Sequence, residues 1–120
     1  MLVTVLGTIF SCTLFMRVIA TNTLKEYWEK YPKTEQLLKA WLQEVELSDW
    51  QSPQSLKMKY RNASILSSKR VVFNINGNKY RLLVDIEFQL KIVFVVWFGS
   101  HFEYDLIDAK TITYVKTNKE

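Results

Sequence analysis

The stretch RVVFNINGNKYRLLVDIEF, residues 70–88, constrains this chain more than any other. Two apolar-rich runs flank Asn76-Gly77-Asn78, and those residues supply the positive φ that a tight turn requires. The segment therefore reads as a β-hairpin. KIVFVVWFGS, residues 91–100, follows after a short break. It is nearly unbroken apolar sequence, as expected of a central strand buried on both faces. A three-strand antiparallel meander of this kind needs a covering layer, which the first half of the chain must supply.

That first half has helical texture. MRVIA, 16–20, reads as a short strand. In TNTLKEYWEKYP, Thr21 or Thr23 can cap a helix with Leu24, Tyr27, Trp28 and Tyr31 on one face, ended by Pro32. Thr34 then caps a second helix, in which Leu37, Leu38, Trp41, Leu42 and Val45 recur at spacings of three and four. Ser52-Pro53 starts a short third helix to about Tyr60, and the Ser- and Asn-rich residues 61–69 read as loop. HFEYDLIDA, from 101, suggests a short helix or turn, and KTITYV, from 110, a last strand or frayed end. The order β, αα, meander gives an α+β fold with helices on one face of the sheet.

At 120 residues the chain is one domain. Its single cysteine, Cys12, excludes an intrachain disulfide framework and a cysteine-based zinc site, and the reducing cytoplasm is the default compartment. One histidine and scattered carboxylates give no metal-ligand set, and three glycines leave no phosphate-cradling loop. No metal or other cofactor is expected. Residues 1–15 are apolar and uncharged, too short to span a bilayer as a helix and without the leading cation of a secretory signal. Met16 reads as the start, with 1–15 an upstream extension or a short anchor and 16–120 the domain.

The net charge of +4 and pI of about 9.2 suit an anionic partner. Lys57, Lys59 and Arg61 alternate with Met58 and Tyr60. Lys69 and Arg70 open the first hairpin strand, and Lys79 and Arg81 flank Tyr80 on the second. Residues 79 and 81 share a strand face, and His101, ending the third strand, could approach it. Cations, imidazole and phenol together suit metal-free RNA cleavage. A base takes the ribose 2′-OH proton, cations stabilise charge on phosphorus, and an acid protonates the leaving oxygen. Histidine titrates near neutrality and arginine grips phosphate bidentately. Tyr80 or Tyr104 could stack on a splayed base. The same residues also read as a solvated strand face, core-edge tyrosines and a histidine satisfying a carbonyl, with Glu103 and Asp105 as first-turn acids at a helix dipole. Spacing leaves both readings open.

Two motifs carry a resemblance. RVVFNINGNKYRLLVDIEF (70–88) and FGSHFEYDLIDAKTI (98–112), at this separation, resemble the HigB family of toxins from bacterial type II toxin–antitoxin modules, and the likeness extends over 16–120. Asn76, Gly77, Asn78, Tyr80 and Arg81 match the first motif, and His101, Glu103, Tyr104 and Asp105 the second. The resemblance implies a compact RelE-type, barnase-related fold: a helical hairpin packed on a curved antiparallel sheet of about four strands. It implies an mRNA endoribonuclease, in many relatives assisted by the ribosome, neutralised by a small helix-turn-helix antitoxin. Arg81 would stabilise phosphate and His101 transfer protons, supported by Lys79 and Tyr104. Arg70, Lys69, Tyr80, Asn76 and Lys59 are the RNA-binding candidates. Ser100 stands where Thr is common in the family, Leu106 where Lys is frequent, and Val96 where relatives often carry Lys or Arg. The alternative is a catalytically weakened homologue that still binds antitoxin or RNA. A membrane-tethered protein anchored by 1–15 is a third hypothesis.

Overall fold

The computed structural model describes residues 16–19 and 21–113. The reading of 1–15 as extension or anchor lies outside the described residues. β1 (Arg17–Ile19) leads into α1 (Thr21–Lys30), which a single 3-10 turn over Pro32–Thr34 separates from α2 (Glu35–Glu46). A short α3 (Pro53–Lys59) follows, then β2 (Ser64–Ile65), β3 (Arg70–Ile75), β4 (Tyr80–Glu87), β5 (Ile92–Ser100) and the one-turn α4 (His101–Tyr104).

The α+β class stands, with two corrections to the sheet. It has five strands, in the order β1-β5-β4-β3-β2, and it is mixed. β2–β3, β3–β4 and β4–β5 are antiparallel, but β1 runs parallel to β5, pairing Val18 with Val93. The cause is topological. The chain leaves β1 through the three helices and the meander, and β5 comes back alongside β1 in the same direction. β2 is only two residues inside the Ser- and Asn-rich segment, too short to show a period. Both edges of the sheet are thus short strands, which limits edge-to-edge pairing with other chains. Residues 109–111 form a turn rather than the start of a last strand, and anything beyond 113 lies outside the described residues.

The helices cover one face of the sheet. Leu24, Leu38, Val45 and Leu56 are fully buried against Val71, Leu82, Val84 and Val93. Truncating any one of the leucines to Ala would cost about 2–5 kcal/mol. Trp41, Trp50 and Tyr60 pack their rings around Phe73. Leu37, expected on the apolar stripe of α2, is instead 39% exposed, since α2 turns Leu38, Trp41 and Val45 inward. Thr34 occupies the N-cap position without capping: its hydroxyl donates to the Tyr31 carbonyl at 2.7 Å. α3 carries a reciprocal capping box between Ser52 and Ser55.

The other face holds a smaller cluster. Val72, Leu83 and Val96 are buried there beneath Tyr104, Ile107, Ala109 and Ile112 of the C-terminal segment. A bulge produces this arrangement. Leu83 pairs with Trp97 and Val84 with Val95, so Val96 is an extra residue in β5. The sheet therefore separates two apolar layers, and successive side chains on β4 alternate between them.

Candidate functional site

The hairpin tip forms as its sequence directs. Asn76 and Gly77 take φ of 58° and 65°, and the Lys79 N–H donates to the Asn76 carbonyl at 3.2 Å. Lys79 thus belongs to the turn, one residue before β4. Its own carbonyl accepts the His101 backbone N–H at 2.8 Å. That bond fixes the start of α4 against the hairpin tip.

α4 is placed by a second capping box. The Ser100 hydroxyl accepts the Glu103 N–H at 3.1 Å, and Glu103 Oε1 accepts the Ser100 N–H at 2.9 Å. The same Oε1 accepts the Tyr31 hydroxyl at 2.5 Å. The Tyr31 bond, and after it the Ser100 N–H, hold the Glu103 carboxyl below the usual carboxylate range, against the opposing effect of burial. Burial first, then the bond to Glu103, pushes the Tyr31 phenol upward. Gly99 completes the corner, because a Cβ there would lie 2.7 Å from the Trp97 ring and 2.9 Å from Glu103 Oε1.

Within this frame His101 is open to solvent, its side chain 52% exposed. Its Nδ1 lies 4.0 Å from Asp105 Oδ1, beyond hydrogen-bond distance, so the imidazole keeps both nitrogens available. Arg81 lies on the same sheet face as Leu83, where its guanidinium stacks over the Tyr104 ring at 5.9 Å. Its Nη1 donates to the Asn78 and Tyr80 carbonyls at 3.1 and 3.3 Å. This curls the side chain against its own hairpin and leaves the Nε and Nη2 edge for a ligand.

The structure gathers His101, Arg81, Tyr104, Lys79 and Asn76 at one end of the sheet. It does not bring in the rest of the candidate set. Tyr80 lies on the helix face, stacked on Phe98 at 5.5 Å and edge-on to Tyr31 at 5.4 Å. Arg70 is 8% exposed and paired with Asp85, and its Nη1 donates to the Ala109 and Ile112 carbonyls at 2.8 Å each. Four of its five donors are committed. It stands four residues along β3 from Asn74, the partner of Arg81, or about 13 Å. Lys69 is next to it and faces Glu87 at 3.5 Å. Lys59 lies across the hairpin from His101, beside Asn74 and Gly77. Val96, 3% exposed, is a packing position in the second cluster.

Tyr31 and Gly99 are the residues that the motifs did not single out. The Ser100-x-x-Glu103 spacing signals the capping box. Nothing local to Tyr31 signals a bond across 72 residues. Among the described residues no group of His, Cys, Asp and Glu could hold a metal ion, and no helix is long and apolar enough to cross a membrane.

The chain also resembles known proteins over most of its length. The chain is 27% identical over 107 residues to the mRNA interferase HigB of Escherichia coli O6:H1 (strain CFT073), covering 88% of this chain and all of that one. It is 28% identical over 96 residues to the mRNA interferase toxin HigB of Escherichia coli K12, covering 78% and 92% of the two chains, and matches the Shigella flexneri mRNA interferase HigB to the same extent. The model of the HigB toxin family, the RelE-like toxic component of a toxin–antitoxin system, matches residues 34–107, which hold the whole hairpin and the His101 corner. This chain therefore belongs to the HigB toxin family of RelE-like toxins from toxin–antitoxin systems.

Proposed function

We propose that this protein is an mRNA endoribonuclease whose cleavage of message inhibits translation, with His101 and Arg81 as its principal catalytic residues. One observation carries the reading. A solvent-open imidazole and a guanidinium with a free edge share one corner, joined through the Lys79 carbonyl and the Tyr104 ring. In the reaction, a base removes the ribose 2′-OH proton and O2′ attacks phosphorus. The P–O5′ bond then breaks, and an acid returns a proton to O5′. The products are a 2′,3′-cyclic phosphate and a 5′-hydroxyl.

His101 serves proton transfer, an imidazole being able both to accept and to donate a proton. Arg81 and Lys79 supply positive charge to the phosphorane oxygens. The Tyr104 ring holds the Arg81 plane in place. Asn76, exposed at the tip, offers its amide to RNA. The substrate is mRNA engaged on the ribosome in the cytoplasm, and the neutralising partner is a small helix-turn-helix antitoxin. The names of the relatives support mRNA as the substrate, the toxin–antitoxin family supports an antitoxin partner, and the basic charge of the chain suits a nucleic acid.

The test is expression of the full chain in a bacterial host beside His101→Ala and Arg81→Ala. The wild type should arrest growth and cut mRNA, and each variant should lose at least about 100-fold in cleavage. A wild type that leaves mRNA intact would end the ribonuclease reading. Alanine variants as active as wild type would move the site elsewhere.

A further inference from the structure

The far side of the hairpin tip from His101 holds a cleft of about 280 Å³, walled by Lys59, Tyr60, Arg61, Asn62, Asn74 and Gly77 over a floor of Ala63 and Phe73. Its lining mixes polar and apolar surface, and both charged side chains in it are cations. Lys59 and Arg61 are exposed, and neither side chain is engaged in a hydrogen bond or ion pair among the described residues. The neighbouring cation differs: Lys57 is spent on the Arg61 and Ala63 carbonyls, which fixes the loop that presents Arg61. Tyr60 is fixed too, by its hydroxyl bond to Glu44 and its ring against Phe73. The cleft is thus a recess on an anchored segment, with two amides and two cations that are unpaired among the described residues; of these, Lys59 was already an RNA-binding candidate and Arg61 is new.

Its position gives it meaning. The sheet order puts β5, β4 and β3 side by side, so His101, Arg81 and Asn74 lie across one sheet end. β5 and β3 are about 10 Å apart. Lys59, Arg61 and Asn62 continue the line beyond β3. A single strand whose scissile phosphate rests between His101 and Arg81 would cross Asn74 and run into the cleft.

We propose that this cleft is a subsite for the single-stranded RNA flanking the scissile bond. Lys59 and Arg61 hold its phosphates, and the Asn62 and Asn74 amides contact an unstacked base. The proposal rests on the ribonuclease reading above and adds to it the path of the substrate.

Binding is measured by fluorescence anisotropy with a short single-stranded RNA over a salt series, in the His101→Ala background so that nothing is cut. Lys59→Gln/Arg61→Gln should weaken binding about tenfold at low salt. Its log–log salt slope should be shallower by about 1.4, two contacts' worth. Lys25→Gln/Lys33→Gln, two exposed cations of the helical layer, removes the same charge and should leave the slope near its parent's. Equal losses from both pairs would reduce the cleft to net charge, and an unchanged Lys59/Arg61 variant would remove it altogether; either overturns the proposal. Cleavage by the unmutated chain is scored separately. RNA bound through the cleft without cleavage would overturn the ribonuclease reading and spare the subsite, whereas a parent that binds no RNA while the unmutated chain still cuts mRNA in the host would overturn the subsite alone.

Discussion

Tyr31, at the end of the first helix, donates its hydroxyl to Glu103 at 2.5 Å, and the same Glu103 oxygen accepts the Ser100 N–H that starts the His101 turn. One carboxylate oxygen therefore ties the helical layer to the His101 corner. The Tyr31 ring also packs edge-on against Tyr80 and Phe98. These contacts connect α1, β4, β5 and α4. The orientation of His101 depends on this junction although Tyr31 lies far from the imidazole in sequence.

Tyr31→Phe should keep the ring packing and lose only the bond. A hydrogen bond to a partly exposed carboxylate makes the expected cost about 1–2 kcal/mol in urea denaturation. Its pH dependence identifies it. Glu103 is depressed below its ordinary 4.5, so its contribution is complete above that value and disappears as pH falls through the lowered one. Tyr31 is raised above its ordinary 10.0, so its contribution is complete below that value and disappears as pH rises past it. The gap between wild type and Tyr31→Phe should be flat from about pH 5 to 9 and close in stronger acid. A gap that persists unchanged at pH 2 would assign the cost to packing.

Gly99→Ala should damage activity more than its size suggests. The added methyl meets Trp97 and Glu103 at separations no Cβ tolerates, so the ring or the capping carboxylate must move. Overpacking of this kind costs about 1–3 kcal/mol. Moving Glu103 also releases the α4 box. Cleavage should fall at least tenfold, in line with the sensitivity of reaction rates to small misplacements. Trp97→Leu in the same chain removes the ring and should recover part of the lost stability. A Gly99→Ala protein with wild-type stability and rate would show that the corner is slack.

Arg70 and Arg81 should separate stability from activity. Arg70 is buried in an ion pair with Asp85 and bonds two carbonyls of the C-terminal segment, so Arg70→Gln leaves Asp85 and those carbonyls without partners. The expected loss is about 3–5 kcal/mol in denaturant unfolding, with RNA affinity of the folded fraction unchanged. Arg81→Gln gives up only two carbonyl contacts and the Tyr104 stack. It should unfold within about 1 kcal/mol of wild type and lose cleavage. Reversed signatures would exchange their roles.

The contrast between these arginines marks the limit of what the sequence reveals. Local rules placed the hairpin, its Asn-Gly turn, α1, α2 and α3, because each depends on residues a few positions apart. The α+β class followed from the order of those elements, and the pairing of the hairpin motif with the His101 motif from the family resemblance. The parallel partner of β1 and the second cluster were not, since both are fixed by where distant segments return. Arg70 looked like Arg81 as a letter on a strand. Only the C-terminal segment crossing above it, with the Ala109 and Ile112 carbonyls, makes it structural. Spacing left Tyr80 open between a stacking platform and a core-edge ring; β4 begins at Tyr80 and turns it toward the helices.

Val96 is where family comparison and geometry make opposing claims. The family resemblance implies a cation near this point, which would make Val96→Lys restore a phosphate contact. The structure says otherwise. Val96 is the bulged residue of β5, 3% exposed, with Val72 and Leu83 beside it and the C-terminal segment above. An ammonium there has no carboxylate assigned to it, and burying a charge without a partner is costly. Val96→Lys should therefore destabilise the protein by at least about 2 kcal/mol, with cleavage reduced in proportion to the unfolded fraction. Val96→Thr, similar in shape with a hydroxyl in place of one methyl, should fall between wild type and Val96→Lys. The decisive measurement is cleavage at a temperature well below both melting points. If Val96→Lys is then faster than wild type, the lysine reaches the substrate by displacing residues 104–112, and that segment is a removable cover over the sheet rather than part of its core.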